Sequence, residues 1–236
     1  MLEIKNYTKI YSNGKVGAKD INLVVENGDI FAFIGHNGAG KTTTIKSIVC
    51  INDITSGDIL IDGISVKTHP TEAKKIIAYV PDNPDIYPSL TGLQYLKFIG
   101  EIFDVETSEL ETLTKKYASL LELTEALNSP ISTYSHGMCQ KLVLISALIH
   151  SPKLLVLDEP FVGLDPKASF NLKNIMHKFV SNGGAIFFST HVLDVAEKLC
   201  NKVAIIKNGE IIKSGTMQEI KQDKTLENVF LESANE

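Results

Sequence analysis

Gly35-His36-Asn37-Gly38-Ala39-Gly40-Lys41-Thr42 is the stretch that decides the fold of this chain. It satisfies the pattern G-x-x-x-x-G-K-[ST] at every fixed position. The apolar run Ile30-Phe31-Ala32-Phe33-Ile34 precedes it, and a helix-compatible run from Thr43 to Cys50 follows. The glycines let successive backbone N–H groups curl inward around an anion, and the helix adds its positive N-terminal end. Lys41 reaches the outer phosphates as a point charge, and the Thr42 hydroxyl takes a place on Mg²⁺. The spacing predicts a nucleoside triphosphate ligand and leaves open what its hydrolysis drives.

Working outward, the 236 residues suffice for one substantial α/β domain with a smaller insertion. The formal net charge is −5 and no long basic run occurs, which disfavours a nucleic-acid partner. Cys50, Cys139 and Cys200 lie far apart, without metal or redox spacing, and read as inert thiols of a reducing compartment. Met1-Leu2-Glu3-Ile4-Lys5 alternates polar and apolar residues, unlike a signal segment, and runs such as Leu142 to Ile149 are too short to span a bilayer. The expectation is a cytoplasmic protein, held at a membrane, if at all, by another subunit.

The first thirty residues alternate as β-structure does, with Ile4, Ile10, Ile21, Leu23 and Val25 expected inward. Asp58 to Gly63 and Ile76 to Val80 read as further short strands. From Asp82 to about Ser151 the pattern turns helical. Leu93, Leu96, Ile99, Ile102 and Phe103 share one helix face, and Leu110, Leu113, Tyr117, Leu120 and Leu121 share another. Strands resume at Leu154–Leu157, Ala185–Ser189 and Val203–Ile206, joined by helices such as Lys167 to Val180 that suit crossovers of a mostly parallel sheet. Lys207-Asn208-Gly209-Glu210 carries a hairpin signal, and Thr216 with Glu219 a capping box.

Leu154-Leu155-Val156-Leu157-Asp158-Glu159 is an apolar strand ending in two acids. A Mg²⁺–triphosphate complex needs an acid at a strand's carboxyl end, which suits Asp158 as the metal ligand and leaves Glu159 to orient and polarise a water. Tyr134-Ser135-His136-Gly137-Met138, Gly163-Leu164-Asp165-Pro166 and Ser189-Thr190-His191 complete a series of motifs. In this order, over almost the whole length, the chain resembles the nucleotide-binding subunit of an ATP-binding cassette (ABC) transporter.

The resemblance implies an α/β P-loop NTPase (RecA-like) fold: a mostly parallel sheet core, an N-terminal antiparallel β subdomain and an inserted helical subdomain. It divides the single domain into a core at 1–81 and 152–222, a helical subdomain at 82–151 and a short C-terminal tail or helix at 223–236. ATP and Mg²⁺ are the implied cofactors. Gly35, Asn37, Gly38, Ala39, Gly40, Lys41, Thr42 and Thr43 would hold the phosphates, with Tyr11 stacked on adenine. Thr42, Asp158 and Asp82 would serve the metal, and Glu159 and His191 the chemistry. The family sandwiches ATP between two subunits, so Ser135 and Gly137 would serve the opposite site of a homo- or heterodimer, and Asp165 would bind nucleotide from a loop that crosses the dimer interface. Tyr11 also suits packing on its sheet, and Asp165 before Pro166 also suits a helix N-cap.

Four positions depart from the family pattern. Asp82 stands where many members have glutamine, and a carboxylate only accepts hydrogen bonds. It suits water-mediated metal binding, or a negative charge that weakens triphosphate binding. Tyr134, His136 and Met138 replace residues of the usual Leu-Ser-Gly-Gly-Gln signature, while Ser135 and Gly137 are kept. The segment Asp82 to Gly92 and the Tyr-Ser-His-Gly-Met signature resemble bacterial ABC-2-type export systems. The implied function is an ATPase powering a membrane transporter, an exporter by these details, through an integral-membrane permease. A soluble single-cassette ATPase acting in assembly or repair is the alternative.

Overall fold

The computed structural model describes residues 1–235. Strands β1 (Leu2–Ile10) and β2 (Val16–Val25) lead to β3 (Ile30–Ile34), the glycine-rich loop and α1 (Lys41–Ile48). Next come β4 (Ser56–Ile61), β5 (Ile64–Ser65), α2 (Pro70–Lys75) and β6 (Ile77–Val80). Helices α3 (Gly92–Ile102), α4 (Thr107–Leu120) and α5 (His136–Leu148) form the middle of the chain. The last third holds β7 (Leu154–Asp158), α6 (Pro166–Ser181), β8 (Ala185–Thr190), α7 (Leu193–Leu199), β9 (Lys202–Lys207), β10 (Glu210–Thr216), α8 (Met217–Lys221) and α9 (Leu226–Asn235).

Among the described residues the strands form two sheets, β2-β1-β4-β5 and β10-β9-β3-β8-β7-β6. The first is antiparallel. In the second, β9, β3, β8, β7 and β6 run parallel and β10 returns antiparallel. Asn208 and Gly209 make that return at φ 51° and 85°, the left-handed pair that a tight hairpin requires. The expected α/β architecture, with an antiparallel β portion and helices inserted between β6 and β7, is thus the one observed.

Strand periodicity splits the core in two. Ile30, Ala32 and Ile34 of β3 pack into a cluster with Leu155, Leu157, Ile186 and Phe188, on the sheet face that also meets α5 and α6. Phe31 and Phe33 point the other way, with Leu154, Val156 and Phe187, toward α1 and the antiparallel sheet. Phe187 lies 5.7 Å from Phe31 and 5.3 Å from Phe33, ring centre to ring centre, and locks that second face.

Several expected inward positions are corrected. Ile10 is exposed, and Tyr7 is the residue that enters the core. The register between β1 and β2 shifts after Ile4, where Asn6 adopts φ 48°. One extra residue in a strand reverses the faces of all that follow, so the parity set by Leu2 and Ile4 fails beyond Asn6. Ile102 and Leu120 are also exposed, each in the last turn of its helix. At the crossing of α3 and α4, Gly100 admits Leu110, whose Cδ2 lies 2.7 Å from where a Cβ would stand.

The expected start of α5 holds: Ser135 caps it, its Oγ accepting the Met138 amide at 3.3 Å. From Gln140 to Leu148 this helix is buried on all sides, the axle on which α3 and α4 pack. No helix among the described residues is long and apolar enough to cross a membrane. The five parallel strands all end at one edge of the sheet. That edge therefore collects Gly35 after β3, Asp82 beyond β6, Asp158 and Glu159 at β7, and His191 after β8.

Candidate functional site

The loop after β3 takes its shape from two glycines in the left-handed region, Gly38 at φ 82° and Gly40 at φ 111°. Gly40 also passes close to β2, where a Cβ would lie 2.5 Å from the Gly17 carbonyl oxygen. Gly35 sits under Ile206 with equally little room, and Ala39 is buried beneath the loop. Helix α1 starts at Lys41, so Thr42 and Thr43 occupy its first turn. The Lys41 ammonium donates back to the carbonyls of Gly35 at 2.8 Å and His36 at 3.3 Å. Burial lowers its pKa from the ordinary lysine value, against the opposing pull of Glu159 and Asp158.

A cleft of about 730 Å³ opens over this loop. Tyr11, Asn37, Gly38, Gly40, Lys41, Thr42, Thr43, Asp82, Asp158 and Glu159 line it. Tyr11 is held at one side, its hydroxyl 3.0 Å from Thr43 Oγ1. Gly17 makes this possible, since a Cβ there would lie 2.7 Å from both side chains.

Asp158 is 1% exposed. Ser189 donates its hydroxyl to Asp158 Oδ1, while Oδ2 is buried and has no partner among the described residues. Burial pushes the Asp158 carboxyl above the usual carboxylate range; the hydrogen bond from Ser189 and the nearby Thr42 hydroxyl oppose the rise, and the charges of Asp82 and Glu159 add to it. A buried carboxylate oxygen left without a donor costs free energy unless a cation completes it. Mg²⁺ is an ion that takes one or two carboxylates plus phosphate oxygens. Thr42 and Asp158 fit that group.

Glu159 follows at φ 49°, its amide donating to the Ser189 carbonyl at 3.2 Å. Its Oε1 lies 2.9 Å from His191 Nδ1, and its Oε2 accepts the His191 amide at 3.3 Å.

Ser135, Gly137 and Asp165 do not line this cleft. They form a second group. A Cβ on Gly137 would stand 2.5 Å from the Gly163 carbonyl oxygen, and the His136 ring lies over the Gly163 α-carbon. Asp165 caps α6 through the Ala168 amide at 2.8 Å and pairs with Lys141 of α5, also at 2.8 Å. Tyr134 is a brace: its hydroxyl donates to the Ala126 carbonyl at 2.6 Å, close against Gly92 at the start of α3.

Residues 18–162 match the family model described as ABC transporter. The chain is 34% identical to the uncharacterized ABC transporter ATP-binding protein YhcH of Bacillus subtilis, over 97% of this chain and 73% of that one. It is 32% identical to the linearmycin resistance ATP-binding protein LnrL of the same organism, over 93% and 70%. A solved ATP-binding subunit of an ABC transporter superposes with a TM-score of 0.95 at 31% identity, covering 99% of both chains.

The chain belongs to the ABC transporter family. It is the ATP-binding, ATP-hydrolysing cassette of that family, and the P-loop NTPase fold is shared with its solved relatives. Several residues that shape this ABC site escaped the sequence reading. Gly17 and Ser189 act only through partners far along the chain, and Lys141 reveals its link to Asp165 only once α5 and α6 are packed together. Ser189 belongs to the Ser189-Thr190-His191 motif, one place before the end of β8, but the motif gives no sign of its bond to Asp158.

Proposed function

We propose that this cassette is the ATP-hydrolysing subunit of a membrane exporter, working as an ATP-sandwich dimer on the inner face of the cell membrane. The observation that carries the reading is the buried, unpartnered Oδ2 of Asp158 beside Thr42 and Lys41, with Glu159 in the same cleft. The loop amides and Lys41 bind the β- and γ-phosphates, Thr43 supports that loop, and Tyr11 stacks on the adenine. Thr42, Asp158 and, through water, Asp82 would hold Mg²⁺, which would neutralise the phosphate charge. Glu159 orients the water that attacks the γ-phosphorus, and His191 contacts the γ-phosphate. The bond from that phosphorus to the β-bridging oxygen breaks, leaving ADP and phosphate.

Ser135, Gly137 and Asp165 stand apart from the cleft and serve the site on the opposite subunit in this reading. The helix N-terminus at Ser135 then points its amides at the second triphosphate. Residues 1–81 and 152–222 work as the hydrolytic core and 82–151 as the helical subdomain that meets the permease. A groove lined by Pro81, Pro84, Ile86, Tyr95, Ile99 and Phe103 lies between the Asp82 segment and the helices, and suits a cytoplasmic helix of that partner. The name of the LnrL relative, a resistance protein, supports export as the direction.

Co-purification from the native membrane under mild detergent tests the reading. An integral-membrane protein that stimulates ATP hydrolysis in the wild type and fails to do so with Glu159→Gln is the expected result. Recovery in the soluble fraction alone, with no such partner, would favour a soluble single-cassette ATPase acting in assembly or repair.

A further inference from the structure

The ring of His36, in the phosphate loop, packs 4.7 Å from the ring of Phe230 at an interplanar angle of 51°. Phe230 belongs to α9, far from the loop in sequence. Helix α9 is anchored elsewhere: Leu226 is fully buried, Val229 is 4% exposed, and both join the core cluster that includes Ala196 and Leu199 of α7. The Leu226 amide donates to Glu197 Oε2 at 2.8 Å, and Lys221 pairs with the same carboxylate. Helix α7 itself begins just beyond His191 and Val192. One helix is therefore fixed to the element that follows His191 and reaches back to touch the loop.

His36 is a sensitive place to be touched. Its carbonyl accepts both the Lys41 ammonium, at 3.3 Å, and the Ala39 amide, at 3.1 Å. The His36 ring is otherwise exposed, and the Phe230 ring is the aromatic surface it meets. Moving His36 moves two of the groups that shape the phosphate cradle.

We propose that Phe230 is a positioning residue for ATP binding: through His36 it holds the phosphate loop in its binding-competent shape. The inference rests on the reading of the cleft as the ATP site. An aromatic contact of this kind, lost from a preformed site, predicts that Phe230→Ala raises KM for MgATP about three- to tenfold, with kcat changed less than about twofold.

The test is steady-state ATPase kinetics and MgATP titration of the full-length chain. Phe230→Tyr restores the wild-type KM, and Phe230→Leu, which keeps apolar volume for folding without the ring, behaves like Phe230→Ala. His36→Ala shows the same rise, and the double variant is no weaker than either single one, because both remove one contact. Leu231→Ala, exposed on the same helix, leaves KM unchanged. An unchanged KM in Phe230→Leu, or additive effects at the two positions, overturns the proposal. Lys41→Ala separates this outcome from a wrong site: it abolishes MgATP binding if the cleft is the ATP site, whatever Phe230 does.

Discussion

His191 Nδ1 lies 2.9 Å from Glu159 Oε1, and the His191 amide donates to the other oxygen of the same carboxylate at 3.3 Å. The end of β7 and the end of β8 are thus joined by the two side chains proposed for the chemistry. Glu159→Gln keeps the shape and removes the charge. We expect MgATP binding to persist and turnover to fall about 10²–10⁴-fold, the range for loss of a general base. Parallel titration and single-turnover measurements decide it, and wild-type turnover in the variant would remove Glu159 from its role.

Asp158 gives a prediction of opposite sign for folding and for binding. Its carboxyl is raised by burial, so its ionised form opposes folding, and stability is lost as pH rises through the folded-state pKa. Asp158→Asn removes that buried charge and should melt at a higher temperature than the wild type without nucleotide, with the gap widening as pH rises. It should also lose the stabilisation that saturating MgATP confers, about 2.7 kcal/mol at a hundredfold excess over Kd. Melting curves with and without MgATP read both effects at once.

The Lys141–Asp165 pair links the two helices that flank the second group of site residues. The hydrogen bond from Lys141, with the Ala168 amide, holds the Asp165 carboxyl down at about 2. Its contribution to stability is present above the unfolded carboxylate pKa near ~3.9 and is lost as pH falls toward the folded value. Lys141→Met should return the Asp165 pKa toward its ordinary range, measurable by NMR titration of the side-chain carboxyl. Asp165 is half exposed, so the accompanying change in stability should be small.

Tyr7 ties the antiparallel sheet to α1, its hydroxyl donating to Ser47 Oγ at 2.6 Å with both residues fully buried. Tyr7→Phe leaves the Ser47 hydroxyl without this donor and should cost about 1–3 kcal/mol in denaturant unfolding. Burial pushes the Tyr7 pKa up to about 12, so the wild type loses stability as pH climbs from about 10 through that value. The variant should lack that alkaline loss.

What the sequence made legible was local. The loop from Gly35 to Thr42, the hairpin at Asn208-Gly209, the caps at Ser135, Asp165 and Thr216, and the strand alternation of β3 each follow from neighbours within a few residues. The inward role given to Ile10 failed because a shift near Asn6 leaves no mark in an alternating pattern. The Tyr7–Ser47, Ser189–Asp158 and His36–Phe230 contacts join residues brought together only by the sheet order and helix packing. A single sequence carries no local trace of such pairings.

Strands β6 and β7 are parallel neighbours, and β6 is the edge of its sheet. The chain between them leaves and re-enters at one border, so the helices it builds can be exchanged without rewiring any other strand. The strand order that sets the cleft at the sheet's end is thus independent of the length of that excursion.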